Sequence, residues 1–107
     1  METGLTVKML KALADEKRLQ IMQHLSRRSV CVCEMESLLS LSQPAVSHHV
    51  KVLREAGLIT HTRQGKWVFY SLDREQFASF LQSLNLLAVK DAGDSGPPPV
   101  PEVCKEC

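Results

Sequence analysis

Residues 42–57 read Ser-Gln-Pro-Ala-Val-Ser-His-His-Val-Lys-Val-Leu-Arg-Glu-Ala-Gly and predict one amphipathic helix. Ser42 is a favourable N-cap, and Pro44 is tolerated in a first helical turn. Gly57 is the kind of residue that commonly ends a helix. Apolar residues spaced i, i+4 and i+7 predict the buried face. They are Val46, Val50 and Leu53.

The segments on either side of this helix complete a recognisable motif. Upstream, the i, i+3, i+4 spacing of Met35, Leu38 and Leu39 predicts a short helix over about residues 33–40. The two helices would form a helix-turn-helix over about residues 33–56. Downstream, β-branched and aromatic runs flank Arg-Gln-Gly-Lys and predict a β-hairpin, the wing, over residues 58–71.

Three further helices are predicted around this motif. The first carries apolar residues on more than one side, the second is capped by Asp15, and the last begins with the pair Asp73 and Gln76 and runs to about Lys90. The second helix is expected to bury Leu19, Ile21, Met22 and Leu25. The first and last helices have more apolar surface than so small a core needs, so we expect them to form a homodimer interface. The fold class is mostly α with a β-hairpin wing, in the order ααααββα.

Composition and charge exclude several classes of protein. The 107 residues include 44 % apolar and 23 % charged residues, which excludes a disordered or fibrous chain. No apolar run approaches the roughly 18–20 residues that span a bilayer, and the N-terminus does not resemble an export signal, so we expect a cytoplasmic protein without membrane contact. Residues 1–90 carry 12 basic and 8 acidic side chains, which suits a polyanionic partner. Residues 91–107 predict a flexible Pro/Gly-rich linker and a Cys-containing tail.

Polar side chains opposite the buried stripe are suited to reading double-stranded DNA. In a helix-turn-helix the second helix lies in the major groove, where Gln pairs with adenine and Lys with guanine or phosphate. Each polar residue could instead be merely solvated, and His49, between the two faces, is interpreted as a packing residue. The predicted DNA contacts are Ser42, Gln43, Ser47, His48 and Lys51 in the helix, with Arg63 and Lys66 at the hairpin turn.

Two long stretches make a family resemblance specific. Residues 41–59 and 63–72, preceded by Ala-Leu-Ala-Asp-Glu-Lys-Arg-Leu-Gln-Ile at 12–21, resemble the ArsR/SmtB family of metal-sensing repressors. The resemblance covers about residues 5–90. It implies a winged-helix homodimer, not an enzyme, that represses its operon by binding an inverted repeat.

Four cysteines occur in two close pairs, at 31 and 33 and at 104 and 107. In a reducing compartment such pairs more often bind metal or do redox chemistry than form structural disulfides. Val-Cys-Val-Cys-Glu-Met at 30–35 resembles the arsenic-sensing branch, which implies As(III) or Sb(III) as inducer. That branch often has a third cysteine where this chain has Glu36. The third sulfur could come from Cys104 or Cys107, or the site could be completed by solvent or a cellular thiol.

The spacing of the first pair suggests a mechanism. In an α-helix, residues i and i+2 point about 200° apart, so Cys31 and Cys33 could hold one atom only if their segment were not helical. We therefore expect metalloid binding to favour an unwound start of the third helix, to displace the recognition helix and to release the operator.

Three other functions are compatible with these residues. The same fold could sense Cd, Pb, Zn or oxidants through its thiols. A winged helix could also be a protein-interaction module that never touches DNA. A thiol enzyme using Cys104 and Cys107 is disfavoured, because a redox pair usually opens a helix in a packed fold, and this pair follows a proline run.

Overall fold

A computed structural model describes residues 1–89 and confirms the predicted winged helix-turn-helix. Its elements are α1 (Thr3–Leu13), α2 (Glu16–Leu25), β1 (Val30–Cys31), α3 (Val32–Leu39), α4 (Gln43–Glu55), β2 (Ile59–Gln64), β3 (Trp67–Leu72) and α5 (Arg74–Asn85). The predicted linker and tail, with Cys104 and Cys107, lie outside the described residues. None of the helices in residues 1–89 is long and apolar enough to cross a membrane.

The predicted N-caps set the helix starts. The Asp15 carboxylate accepts a hydrogen bond from the Arg18 backbone N–H at 3.0 Å, and that of Asp73 accepts one from Gln76 N–H at 3.1 Å. The Ser42 hydroxyl accepts one from Ala45 N–H at 3.4 Å. Each cap satisfies a backbone donor that has no partner inside its helix.

One apolar core joins the helices to the base of the wing, and the stripe predicted for α4 is buried in it. Leu19 was predicted to be buried but is 47 % exposed, and Leu38 of α3 is 45 % exposed. Leu19 lines a shallow surface cleft with Leu72 of β3 and Phe77 of α5. The largest fully buried side chains are Met9, Ile21, Leu25, Val30, Met35, Val46, Leu53 and Leu58.

The sheet has one strand more than the sequence predicted. Its order is β1-β3-β2, and all pairs are antiparallel. In β1, Val30 pairs with Tyr70 and Cys31 pairs with Phe69 of β3. The side-chain hydroxyls of Ser29 and Ser71 share a hydrogen bond of 2.6 Å beside this short pairing. The strand that carries Cys31 is therefore hydrogen-bonded directly to the wing.

Helices α1 and α5 leave an apolar groove of about 340 Å³ on the surface. Leu10 of α1 is 42 % exposed, and Leu86 and Leu87, just after α5, are 67 % and 84 % exposed. The last helix ends at Asn85 rather than at about Lys90 as predicted. The leucines beyond Asn85 have little of this subunit to pack against, and packing supplies most of the stability of a short helix.

Candidate DNA interface and thiol pocket

The recognition face is the exposed side of α4. The buried residues Val46, Val50 and Leu53 hold its opposite side against the core. Every side chain predicted to contact DNA is exposed: Ser42, Gln43, Ser47, His48 and Lys51 in or next to α4, and Arg63 and Lys66 at the hairpin turn. This face has no carboxylate before Glu55, so it is neutral or positive where a groove would meet it.

His49 has the packing role that the sequence favoured. It is partly buried, and its Nδ1 lies 3.2 Å from Nη1 of Arg18 on α2. Desolvation lowers the pKa of His49, and the nearby Arg18 cation lowers it further, while Asp15 opposes both. A neutral imidazole can accept the hydrogen bond that the guanidinium donates.

The wing contacts the recognition helix near the end of α4. At the far end, Nη1 of Arg54 lies 3.4 Å from Nδ1 of His61 on β2. At the start of α4, Gln43 lines the same pocket as Lys66 of the wing turn, as described below. Lys66 in that turn lies over the Trp67 ring, 5.7 Å from its centroid, which holds one of the two turn cations close to the strand.

The two described cysteines are already adjacent. Their Sγ atoms are 2.8 Å apart, and both thiols are free. Cys31 is buried in β1 with extended backbone (φ −89°, ψ 163°) and precedes α3, whereas Cys33 is exposed in the first turn of α3. The two thiols are thus brought together without unwinding of α3. Cys31 is outside the helix, and residues i and i+2 can share a side at a strand–helix junction.

A charge pair lies beside the thiols. Arg28 donates from Nη2 to Oε2 of Glu34 at 2.7 Å, and Oε1 of Glu34 accepts from the Cys31 thiol at 3.6 Å. The hydrogen bond from Arg28 lowers the pKa of the Glu34 carboxyl. The hydrogen bond with Cys31 raises the pKa of the Cys33 thiol. The Cys33 thiol therefore gives up its proton less readily than an isolated cysteine does.

The thiols share a pocket of about 310 Å³ with predicted DNA contacts. Cys31 and Cys33 line it, and so do Gln43 of α4 and Lys66 of the wing turn. The full lining is Cys31, Val32, Cys33, Glu36, Gln43, Lys66, Trp67, Val68 and Tyr70. A ligand on the sulfurs would therefore lie between the recognition helix and the wing.

Sequence reasoning missed the part of this pocket contributed by β3. Trp67, Val68 and Tyr70 line it because β1 pairs with β3 and brings Cys31 beside them. The alternation Val30-Cys31-Val32 was the available signal, since apolar β-branched residues around a cysteine are typical of a buried strand. Two residues are too few for a pattern to be decisive.

Cys31 and Cys33 are the only thiols in the described part of the chain. Within residues 1–89, no three His, Cys, Asp or Glu side chains converge as metal ligands. Glu36 lines the pocket, but it supplies a hard oxygen at the position where the arsenic-sensing branch often has a cysteine. The pair fits a soft, thiophilic centre, because thiolates select such centres and carboxylates select hard ones.

Comparison with known proteins shows which family the chain resembles. Residues 15–61 match the family described as "Bacterial regulatory protein, arsR family". An arsenical resistance operon repressor of Bacillus subtilis (strain 168) is 42 % identical over 72 residues, which cover 66 % of this chain and 69 % of the relative. One of Escherichia coli (strain K12) is 46 % identical over 69 residues, which cover 64 % of this chain and 59 % of the relative.

A solved structure extends the comparison to the fold. HlyU of Vibrio cholerae N16961 superposes with a TM-score of 0.66 at 37 % identity, covering 83 % of this chain and 100 % of that one. HlyU of this species is described as a transcriptional activator, so the fold alone does not fix the direction of regulation. The extent of identity to the B. subtilis repressor, together with the winged helix-turn-helix that the structure describes, shows that the chain belongs to the ArsR family of bacterial regulatory proteins.

Proposed function

We propose that the protein is an arsenite- or antimonite-responsive transcriptional repressor. It binds an inverted-repeat operator in the cytoplasm as a homodimer, and it is released when As(III) or Sb(III) binds the thiolates of Cys31 and Cys33. The observation that carries this proposal is the pocket that these two thiols share with Gln43 and Lys66. One small volume adjoins both the inducer ligands and two of the predicted DNA contacts.

Recognition of the operator uses the exposed face of α4 and the wing turn. Gln43 and Ser47 reach base edges in the major groove, while Lys51, Arg63 and Lys66 neutralise phosphates. A two-fold dimer presents two such faces to half-sites roughly 10 base pairs, or a multiple, apart. The apolar groove between α1 and α5 supports the dimer, because its leucines are exposed in a single subunit and lie away from α4.

Induction acts through the junction between the wing sheet and the helix-turn-helix. Cys31 belongs to a strand paired with β3, and Cys33 belongs to the first turn of α3. An inducer bound to both sulfurs sets their separation, so it moves the wing relative to α3 and α4. Coupling between two sites is typically about 1–3 kcal/mol, equivalent to a 5–150-fold loss of DNA affinity.

The third ligand of a pyramidal arsenic centre is proposed to come from Cys104 or Cys107 of either subunit. Two described sulfurs leave that position open. A linker of about ten residues spans up to about 33 Å when extended. Deleting residues 101–107 and measuring arsenite affinity tests this part separately. Unchanged affinity would show that solvent or a cellular thiol completes the site.

The main experiment follows DNA release. Wild-type protein bound to an operator duplex is titrated with arsenite, antimonite, Cd(II), Pb(II), Zn(II) and peroxide, with anisotropy as the readout. The double variant Cys31→Ser/Cys33→Ser should bind the duplex as tightly as wild type and stay bound with arsenite. Glu36→Gln, which alters the same pocket without removing sulfur, should still be released. A double variant released normally by arsenite contradicts the proposal.

The competing functions give different results in the same assay. Release by Cd(II) or peroxide at lower concentrations than arsenite would assign a divalent-metal or oxidant sensor, since the adjacent free thiols also suit those reagents. True DNA binding weakens with salt by about 0.9 log unit per log unit of salt for each phosphate neutralised. Absence of salt-dependent binding to any duplex would favour a protein-interaction module.

A further inference from the structure

Arg18 occupies a position that its own helix does not favour. It lies in the first turn of α2, where the positive end of the helix dipole disfavours a cation. Its side chain is nevertheless only 14 % exposed. Contacts with other elements must therefore hold the guanidinium in place.

Those contacts reach two helices. Nε donates to the carbonyl oxygen of Ala12 in the last turn of α1 at 2.6 Å, where helix carbonyls have no partner in their own helix. Nη1 lies 3.2 Å from Nδ1 of His49, in the middle of α4, and 3.8 Å from Oδ2 of Asp15. One planar group thus bridges the end of α1 and the recognition helix.

The bridge crosses a gap in the packing. Arg18 lines a surface cleft of about 300 Å³ between α1 and α4, together with Lys8, Lys11, Val52 and Glu55. Apolar contacts between the two helices leave this side unfilled. The guanidinium therefore supplies a directional connection there, which apolar packing does not.

We propose that Arg18 is a positioning residue that fixes the recognition helix relative to the dimer-forming helix α1, and so sets the half-site spacing that the dimer accepts. The inference rests on the proposed function, because it needs α1 at the dimer interface and α4 in the major groove. His49 is adjacent to the predicted contact His48, so a shift at His49 moves the reading face directly. Two copies of the bridge, related by the dimer axis, determine the distance between the two reading faces.

The test measures spacing selectivity rather than affinity alone. The full-length wild-type protein selects inverted repeats from a randomised duplex library. The selected repeat is then remade with one or two base pairs added or removed between the half-sites. We expect wild type to bind its own spacing roughly tenfold or more tightly than the altered spacings. Arg18→Met should bind that spacing about tenfold more weakly than wild type does, and it should lose most of the difference in affinity between spacings.

Three variants separate positioning from other roles. Arg18→Lys keeps the charge but cannot span acceptors on two helices, so it should behave like Arg18→Met, whereas a simple phosphate contact would be preserved. His49→Leu removes only the α4 end of the bridge and should also reduce the difference in DNA affinity between spacings. This variant provides the test if Arg18→Met folds poorly. Arg27→Met, an exposed cation at the end of α2, should match wild type.

The outcomes are distinguishable. A purely structural role would weaken all spacings equally, and an unchanged ratio between spacings in Arg18→Met and His49→Leu overturns the proposal. A wild-type protein that binds duplexes without any spacing preference overturns the dimeric repressor itself, and this inference with it.

Discussion

Two glycines with positive φ lie next to the predicted DNA-binding surface, one at the end of a helix and one in a turn. Gly57 (φ 81°) follows α4 and Gly65 (φ 61°) is in the wing turn. A Cβ at Gly57 would lie 3.2 Å from Nε2 of Gln76 and 3.7 Å from Cε of Met9, whereas one at Gly65 would meet nothing within 4 Å. The two sites therefore share the backbone cost of a left-handed residue but differ in crowding.

This difference gives a matched prediction for stability. Gly65→Ala should lower the free energy of unfolding by about 1 kcal/mol, the cost of a left-handed L-residue. Gly57→Ala should lose that amount and more, because Gln76 must also move. Urea denaturation of both variants and of wild type measures these changes in the free energy of unfolding. Equal losses in the two variants would show that crowding at Gly57 costs nothing.

His49 makes stability depend on pH. Burial lowers its pKa in the folded protein, so as the pH falls through about 6.5, the ordinary histidine value, the unfolded chain binds the proton first. The contribution of His49 is therefore complete above that pH and is lost as the pH falls below it. Protonation would also place two cations 3.2 Å apart at Arg18.

Thermal melts from pH 7.5 to 5.5 check this sign. Wild type should lose melting temperature in acid more steeply than His49→Gln, which keeps an acceptor but does not titrate. His48→Gln, at the exposed neighbouring position, should retain the wild-type slope. If wild type and His49→Gln show parallel slopes, then His49 is not a source of the acid sensitivity.

At the scale of elements, β1 determines how the two cysteines are placed relative to each other. The helical periodicity of residues 33–40 predicts α3 to within a residue at each end, but it does not reveal that Cys31 belongs to a strand. A two-residue strand is stabilised by its partner β3, about 40 residues away, rather than by its own propensity. Helix geometry therefore does not require α3 to open to bring this pair of sulfurs together, because Cys31 is not helical.

The wing turn is the element whose contribution to DNA binding is simplest to measure. Arg63→Ala/Lys66→Ala should weaken binding similarly on all duplexes and reduce the salt slope by roughly 0.9 for each cation that contacts phosphate. Arg27→Ala, at the opposite end of the sheet from the turn, should leave the slope unchanged. A double variant with the wild-type slope would place the wing away from the DNA.

At the scale of the whole molecule, the exposed groove between α1 and α5 predicts the assembly. Leu10→Glu should dissociate the dimer, because a carboxylate buried in an apolar interface without a partner is costly. Leu38→Glu is the matched control, since Leu38 is 45 % exposed against 42 % for Leu10 but lies on α3. Sedimentation velocity should find Leu10→Glu monomeric and Leu38→Glu dimeric. A dimeric Leu10→Glu protein would place the interface elsewhere.

Local patterns in the chain were sufficient to predict five helices, the hairpin, the N-caps at Asp15, Ser42 and Asp73, and the exposed face of α4. Each depends on residues within about one helical turn or one hairpin of each other, where spacing and capping chemistry act directly. Tertiary structure decided what depends on distant partners: the strand at Cys31, the adjacency of the two sulfurs, their pocket with Gln43 and Lys66, and the Arg18 bridge to His49. These contacts join segments that are separate in sequence, and only packing of the whole domain brings them together.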